Sequence, residues 1–189
     1  QMKVFSWNAR REKDTVMTPL DSIKYHLQME QACFMAMDPV TGEVKAWVGG
    51  INFKTYKNDH VNLRTKRQVG STIKPFLYTQ AMEERGFTPE TECENVAQNF
   101  GGGAWVPSGK RCGGGSMSMA NALAYSKNCA TAYIMKQVGP RQFADFLSRI
   151  GIPTPVQPFP SICLGTCDLS MYEMLWGYTI FAGRGFSTK

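Results

Sequence analysis

Two short apolar runs, Ala32–Met37 and Val44–Val48, flank the segment Asp38-Pro39-Val40-Thr41-Gly42. Pro presets a turn's φ, and Gly supplies the positive φ that a turn often requires. The spacing predicts a β-hairpin, closed by Gly49-Gly50. A two-stranded ribbon alone is marginally stable in water, so it needs further strands or a covering helix. The downstream sequence supplies helices instead. Ser71–Arg85, Ser118–Val138, Arg141–Ile150 and Leu169–Phe181 all read as helical. The order is therefore a hairpin followed by helices, an α+β chain with an incomplete sheet. The hairpin from Cys33 to Val48 is expected to present an unpaired edge, which invites strand pairing with a neighbouring chain.

The remaining segments fill in this frame. Met2–Trp7 alternates as a strand does, and Arg10–Asp14 is a charged stretch. Thr18 reads as an N-cap, with Pro19 at the first helical position and Asp21 three residues after the cap. That helix is expected to run to about Met29. Asn52–Gln68 reads as a polar, basic loop. In the helix after Ser71, Ile73, Phe76, Leu77, Tyr78 and Met82 lie on or near one face, and Gly86 ends it. Cys93–Gly115 reads as loop, with GGG runs at 101–103 and 113–115. Pro153, Pro155, Pro158 and Pro160 mark an irregular connection, and the last helix stops near Gly183.

Composition limits the function classes. Of 189 residues, 43% are hydrophobic and 19% charged, which fits a folded domain and excludes a disordered tail. The net charge of +6 is too mild to imply nucleic acid. It suits a solvated surface, an anionic polymer or a membrane surface. No run of 18 apolar residues is present, so nothing in the sequence spans a membrane as a helix. The chain opens at Gln1 in mid-pattern and is read as a piece of something longer. Its six cysteines are too few for a disulfide scaffold. They are expected to be buried thiols or to form one disulfide. Cys163 and Cys167 lack a second ligand pair, and His26 and His60 are remote, so no metal site and no cofactor are expected. Two histidines also leave little room for Ser-His-Asp chemistry.

Ser71-Thr72-Ile73-Lys74 has the pattern S-x-x-K. On a helix, i and i+3 share a face, so a serine hydroxyl and a lysine amine can meet. Serine becomes a nucleophile when a base takes its proton. Lysine is a base only when neutral, which burial favours by lowering its pKa. Pro75 places Ser71 near a helix start, where the dipole favours developing negative charge. Gly70 allows close backbone approach. The pattern alone also arises by chance about once in a chain of this length. Ser126-Lys127-Asn128 is the second candidate, read as a turn between helices. There Ser126 relays a proton to or from Lys74 and Asn128 holds a substrate amide. The plainer reading is an ordinary helix with one polar face.

S-x-x-K followed by S-x-N is the order found in penicillin-binding proteins and class A β-lactamases. The surrounding strings resemble the bifunctional class A penicillin-binding proteins. Met37-Asp38-Pro39 with Thr41-Gly42 and Ala46-Trp47-Val48-Gly49-Gly50 is similar to their first hairpin. Lys66-Arg67-Gln68-Val69-Gly70-Ser71-Thr72-Ile73-Lys74-Pro75-Phe76 resembles their nucleophile segment, with Val69 where the family usually has Pro. Leu164-Gly165, Tyr172-Glu173-Met174, Tyr178 and Phe181-Ala182 resemble the helix before their third motif. The wording from Thr18 to Ile23 looks like versions from the Bacteroidetes.

The resemblance implies a penicillin-binding/serine β-lactamase-like transpeptidase fold, N-terminal portion only. Residues 1–30 would be an interdomain linker and 31–189 an incomplete transpeptidase domain. It implies a D,D-transpeptidase with catalytic Ser71, Lys74 and Ser126 and substrate-binding Asn128. Peptidoglycan stem peptides would be the substrates and β-lactams covalent inhibitors. The parent protein would be membrane-anchored on the periplasmic face and also a glycosyltransferase. A D,D-carboxypeptidase, a β-lactamase, or a degenerate module for partner binding or β-lactam sensing are the alternatives. K-T-G is not found: Lys54-Thr55-Tyr56 lacks the Gly and precedes the nucleophile. The family places that motif on a later strand, expected past Lys189, which also supplies one oxyanion-hole N–H. Labelling of this chain by penicillin is therefore expected to be weak.

Overall fold

The computed structural model describes residues 1–107 and 111–186. The hairpin forms as β3 (Phe34–Met37) and β4 (Val44–Val48), antiparallel, with Phe34 opposite Val48 and a register shift between Ala36 and Met37. Asp38 organises the turn: its carboxylate accepts from the N–H groups of Val40 at 2.8 Å and Thr41 at 2.9 Å. Those bonds, Thr41's first, hold the Asp38 carboxyl below its ordinary value. Among the described residues no third strand joins β3 and β4, so the expected unpaired edge is present.

The N-terminal segment folds as β1 (Met2–Phe5), β2 (Glu12–Thr15) and α1 (Pro19–Leu27). Thr18 caps α1 by accepting from the Asp21 N–H, with Pro19 in the first turn as expected. Tyr25 Oη donates to Phe5 O at 2.8 Å, and His26 Nε2 accepts from the Phe5 N–H at 3.4 Å, which docks α1 on β1. The strand β2 departs from the sequence reading. Glu-Lys-Asp-Thr has no apolar alternation to announce a strand. It is one because β1 offers a free backbone edge, with Phe5 opposite Glu12 and Met2 opposite Thr15.

The helical part is built on α2 (Lys74–Arg85), which packs against α3 (Met119–Ala124), α4 (Asn128–Val138) and α5 (Pro140–Arg149). Phe76 and Leu77 of α2 meet Ile134, Met135, Phe143 and Leu147 in one core, all fully buried. Burying each such side chain contributes about 1.5–3 kcal/mol. Met82 does not belong to that face. It is 41% exposed, and Ala81 fills the buried arc in its place. Gly86, at φ +68°, ends α2 in the left-handed conformation.

Ser118–Val138 is two helices rather than one. The break is at Ser126, whose N–H bonds to Leu123 O while the Lys127 N–H bonds to Ala122 O, both at 2.9 Å. This pair of bonds closes α3 as a Schellman cap, with Ser126 at φ +49° in the place that Gly usually takes. With no Gly to mark it, the helical period reads straight through, and of the two readings of Ser126–Asn128 the turn between helices is the one that forms. The end of the 52–68 loop forms β5 (Lys66–Gln68), paired antiparallel with β10 (Asp168–Ser170) ahead of α6 (Met171–Ala182). The 93–115 stretch, read as loop, holds β6 (Glu92–Glu94), β7 (Gln98–Asn99) and β8 (Ala104–Trp105). β6 pairs with β9 (Ser116–Ser118). Residues 108–110 of that stretch lie outside the described residues. One disulfide forms, Cys112–Cys129, and Cys33, Cys93, Cys163 and Cys167 are free thiols. Among the described residues there is no cluster fit to hold a metal ion, and no helix long and apolar enough to cross a membrane.

Candidate active site

Ser71 lies on a single 3₁₀ turn, Gly70–Ile73, that runs directly into α2. Lys74 opens α2, and its N–H bonds back to Ser71 O. The i, i+3 spacing is thus realised with three residues per turn, which eclipses the two side chains more closely than an α-helix does. Ser71 is exposed, whereas Lys74 is 1% exposed. Pro75 occupies the first turn of α2, where its missing N–H leaves no bond unmade.

The turn is held from one side by the chain around residue 165 and by α6. The Val69 N–H bonds to Cys167 O at 3.2 Å and the Gly70 N–H to Gly165 O at 3.0 Å. Tyr178 Oη donates to Thr72 O at 2.7 Å. The close approach expected at Gly70 is made at Gly165: a Cβ there would collide with the Gly70 backbone. The space around Gly70 itself is open, and its requirement is conformational, with φ +57°. β5 carries the strand toward Ser71, and Glu173 secures it from below. The Glu173 carboxylate accepts from Ser170 N–H and Oγ at 2.8 Å each, and from Thr154 N–H and Oγ. Lys66 of β5 reaches the same Thr154 hydroxyl. Burial pushes the Glu173 carboxyl up, but the Thr154 and Ser170 bonds together outweigh it and hold it below the usual value.

Lys74 meets the second candidate motif. Its Nζ donates to Ser126 O at 2.9 Å, Ser126 Oγ at 2.9 Å and Asn128 Oδ1 at 2.7 Å. Three acceptors match the three N–H groups of an ammonium. A neutral amine has two N–H groups and a lone pair, and the Ser126 hydroxyl is able to reverse and donate to it. Burial lowers the Lys74 pKa. No ion pair among the described residues includes Lys74. Cys163 lies near it, but burial pushes that thiol up to about 12, so near neutral pH it supplies no counter-charge.

The structure therefore brings Lys74, Ser126 and Asn128 into one hydrogen-bonded group, with Ser71 one turn before Lys74. Among the described residues no hydrogen bond ends on Ser71 Oγ. Ser126 and Lys74 differ in access, since exposed Ser126 stands over buried Lys74. Cys163, the Gly165 clamp, Tyr178 and Glu173 were not assigned to the site from sequence. Gly165, Glu173 and Tyr178 were signalled only by the Leu164–Ala182 string, which carries no chemistry by spacing, and Cys163 only by its spacing from Cys167. An open cavity of about 1260 Å³ lies beside the Lys74 group and not over it. Val69, Thr72 and Tyr178 line one wall of it, and Ile23 and Leu27 of α1 another. The hydrogen-bond geometry marks the chemistry, since a cavity's size says nothing of the groups that react.

Comparison with known proteins follows the same outline. The family described as penicillin-binding protein transpeptidase domain matches residues 32–157, and the penicillin-binding protein middle domain matches residues 1–29. Penicillin-binding protein 1A of Vibrio cholerae serotype O1 is 33% identical over 159 residues, covering 81% of this chain and 19% of that protein. Penicillin-binding protein 1A of Escherichia coli K12 is 30% identical over 161 residues, covering 82% of this chain and 19% of that protein. The chain thus spans about a fifth of the length of these curated relatives. The crystal structure of penicillin-binding protein 1A from Haemophilus influenzae superposes with a TM-score of 0.70 at 26% identity, over 80% of this chain and 23% of that one. PonA1 of Mycobacterium tuberculosis, solved in complex with penicillin V, shares the fold with a TM-score of 0.68 at 22% identity, over 89% of this chain and 49% of that one.

Proposed function

The chain belongs to the penicillin-binding protein transpeptidase family, and from that premise we propose that it is part of a D,D-transpeptidase that works through Ser71. Ser71 Oγ attacks the carbonyl of the penultimate D-Ala of a stem peptide, and the terminal D-Ala leaves. The acyl ester on Ser71 is then taken by the amine of a neighbouring strand, which restores the serine. Lys74 takes the Ser71 proton, Ser126 relays it toward the leaving amine, and Asn128 positions the substrate amide. The observation that carries this reading is the buried Lys74 Nζ bonded at once to Ser126 O, Ser126 Oγ and Asn128 Oδ1. Burial lowers its pKa, which a catalytic base requires. β-Lactams enter as mimics of the donor and leave Ser71 esterified.

Residues 1–29 serve as the segment that joins this domain to the rest of a bifunctional cell-wall synthase, with a glycosyltransferase in the same protein. The match of that segment to the penicillin-binding protein middle domain supports this. The site then works on the periplasmic face of a membrane that anchors the parent protein. The test is labelling by fluorescent penicillin, within the full-length gene product, followed by mass spectrometry of the adduct. Wild type should carry one penicilloyl group on the peptide containing Ser71, and Ser71→Ala should carry none. Labelling that survives Ser71→Ala would mean that the nucleophile is another residue. A defined peptide with an added acceptor amine separates cross-linking from hydrolysis.

A further inference from the structure

The turn that carries Ser126 and Asn128 opens α4 without a side-chain cap. Lys127 stands at the N-cap position, where Ser, Thr, Asp or Asn is preferred. The turn is held by the Lys127 carbonyl instead. It accepts from the Thr131 N–H at 3.0 Å and from Thr131 Oγ1 at 2.8 Å. Thr131 is fully buried, and its hydroxyl lies 2.9 Å from Tyr78 Oη, which is almost fully buried as well. The single hydroxyl proton of Thr131 goes to Lys127 O, so Tyr78 is the donor to Thr131. A directed chain therefore runs from Tyr78 Oη to Thr131 Oγ1 to Lys127 O.

Tyr78 lies four residues after Lys74 on α2, so the two side chains leave the same face of that helix. That face grips the α3–α4 turn at two points. Lys74 Nζ reaches Ser126 and Asn128, and Tyr78 reaches the carbonyl of the residue between them through Thr131. The Cys112–Cys129 disulfide ties the first turn of α4 to the 93–115 stretch and not to α2. Stability alone gives little reason for the two hydroxyls, because replacing both partners of a buried hydrogen bond by apolar groups of the same shape is nearly neutral. Position does give a reason. Apolar packing is non-directional, whereas a fully satisfied buried polar chain fixes one arrangement.

We propose that Tyr78 and Thr131 are positioning residues for acyl transfer. They set the register of α4 on α2, and so hold Ser126 and Asn128 where Lys74 and the substrate need them. Both act through the turn and not on the reacting atoms. The proposal rests on the reading of Ser71 as nucleophile, Ser126 as proton relay and Asn128 as the group that positions the substrate amide.

The experiment follows acylation of Ser71 by fluorescent penicillin in the full-length gene product. Saturation with the label separates its binding constant from the first-order rate of acylation. Thr131→Val removes the middle link, and the acylation rate should fall about tenfold to a hundredfold, the scale of an ångström-sized misplacement. Tyr78→Phe leaves the Thr131–Lys127 bond in place and should lower the rate less. Adding Tyr78→Phe to Thr131→Val should lower it no further, because the chain is already cut. Thr131→Ser keeps the hydroxyl and should return the rate to near wild type. A purely structural role would lower the fraction of molecules that label and leave the rate of the remainder unchanged. That result, or a wild-type rate in Thr131→Val, would overturn the proposal while Ser71 still labels. No adduct on wild-type Ser71 would overturn the acyl-transfer reading and this proposal together.

Discussion

Ser126 combines two demands that pull in different directions. Its left-handed backbone closes α3, a position where a Cβ costs roughly 1 kcal/mol relative to Gly. Its hydroxyl accepts from Lys74. A non-glycine residue kept in a strained conformation beside a buried titratable group is what a functional constraint produces. Ser126→Gly and Ser126→Ala lose the same hydroxyl, so acylation of Ser71 should fall in both. Ser126→Gly should nevertheless be the more stable by about 1 kcal/mol in urea unfolding, because only it relieves the backbone. Equal stabilities would show that the φ of +49° carries no strain. Lys74 has its own signature. Its folded pKa lies below the ordinary 10.5, so between those two values the unfolded chain binds more protons and stability rises with pH. Unfolding curves of wild type should show that rise, and those of Lys74→Met should lack it.

Among the elements, α6 braces the Gly70–Ile73 turn through Tyr178 and anchors the strand before it through Glu173. Ser170 and Glu173 form a capping box at its start, and the same carboxylate gathers Thr154. Gly177 lets α6 close on α2: a Cβ there would stand 3.0 Å from Phe76 Cζ. Glu173 is almost fully buried, so Glu173→Ala strands several donors and should cost about 2–4 kcal/mol. Since its folded pKa is depressed below the ordinary 4.5, its contribution is full above that value and is lost as pH falls through the folded pKa. Acid titration of wild type against Glu173→Gln should therefore show a loss of stability in that window in wild type alone. A parallel pair of curves would mean that the carboxylate is not held ionised.

At the scale of the molecule, the five sheets among the described residues are all two-stranded. β3 and β4 carry Phe34, Val44, Trp47 and Val48 substantially exposed, and a bare apolar edge is a template for another chain. The chain should self-associate in a concentration-dependent way, seen by light scattering. Phe34→Lys with Val48→Lys, a cross-strand pair, should reduce that association while leaving the helical core intact. Association that is insensitive to both would place the contact elsewhere.

Some of this was already determined by the order of residues. Turn chemistry at Asp38–Gly42, the Thr18 cap, the Gly86 stop and the periodicity of α2 and α5 are local effects, decided within a few residues. The S-x-x-K and S-x-N candidates were legible for the same reason, because each depends on short spacing and residue type. That Lys74 and Ser126 meet, 52 residues apart, was suggested by family resemblance, and only the packing of α2 on α4 made it geometry. β2, β5 and β10 were invisible because short polar strands owe their existence to a partner's backbone. The break at Ser126 was legible only as one of two readings, a turn or a continuous helix, because a left-handed serine looks like any other serine in a helical period. The burial that lowers Lys74 belongs to no single residue: Ile73, Phe76, Cys163 and their neighbours exclude water together, and only the assembled core does that.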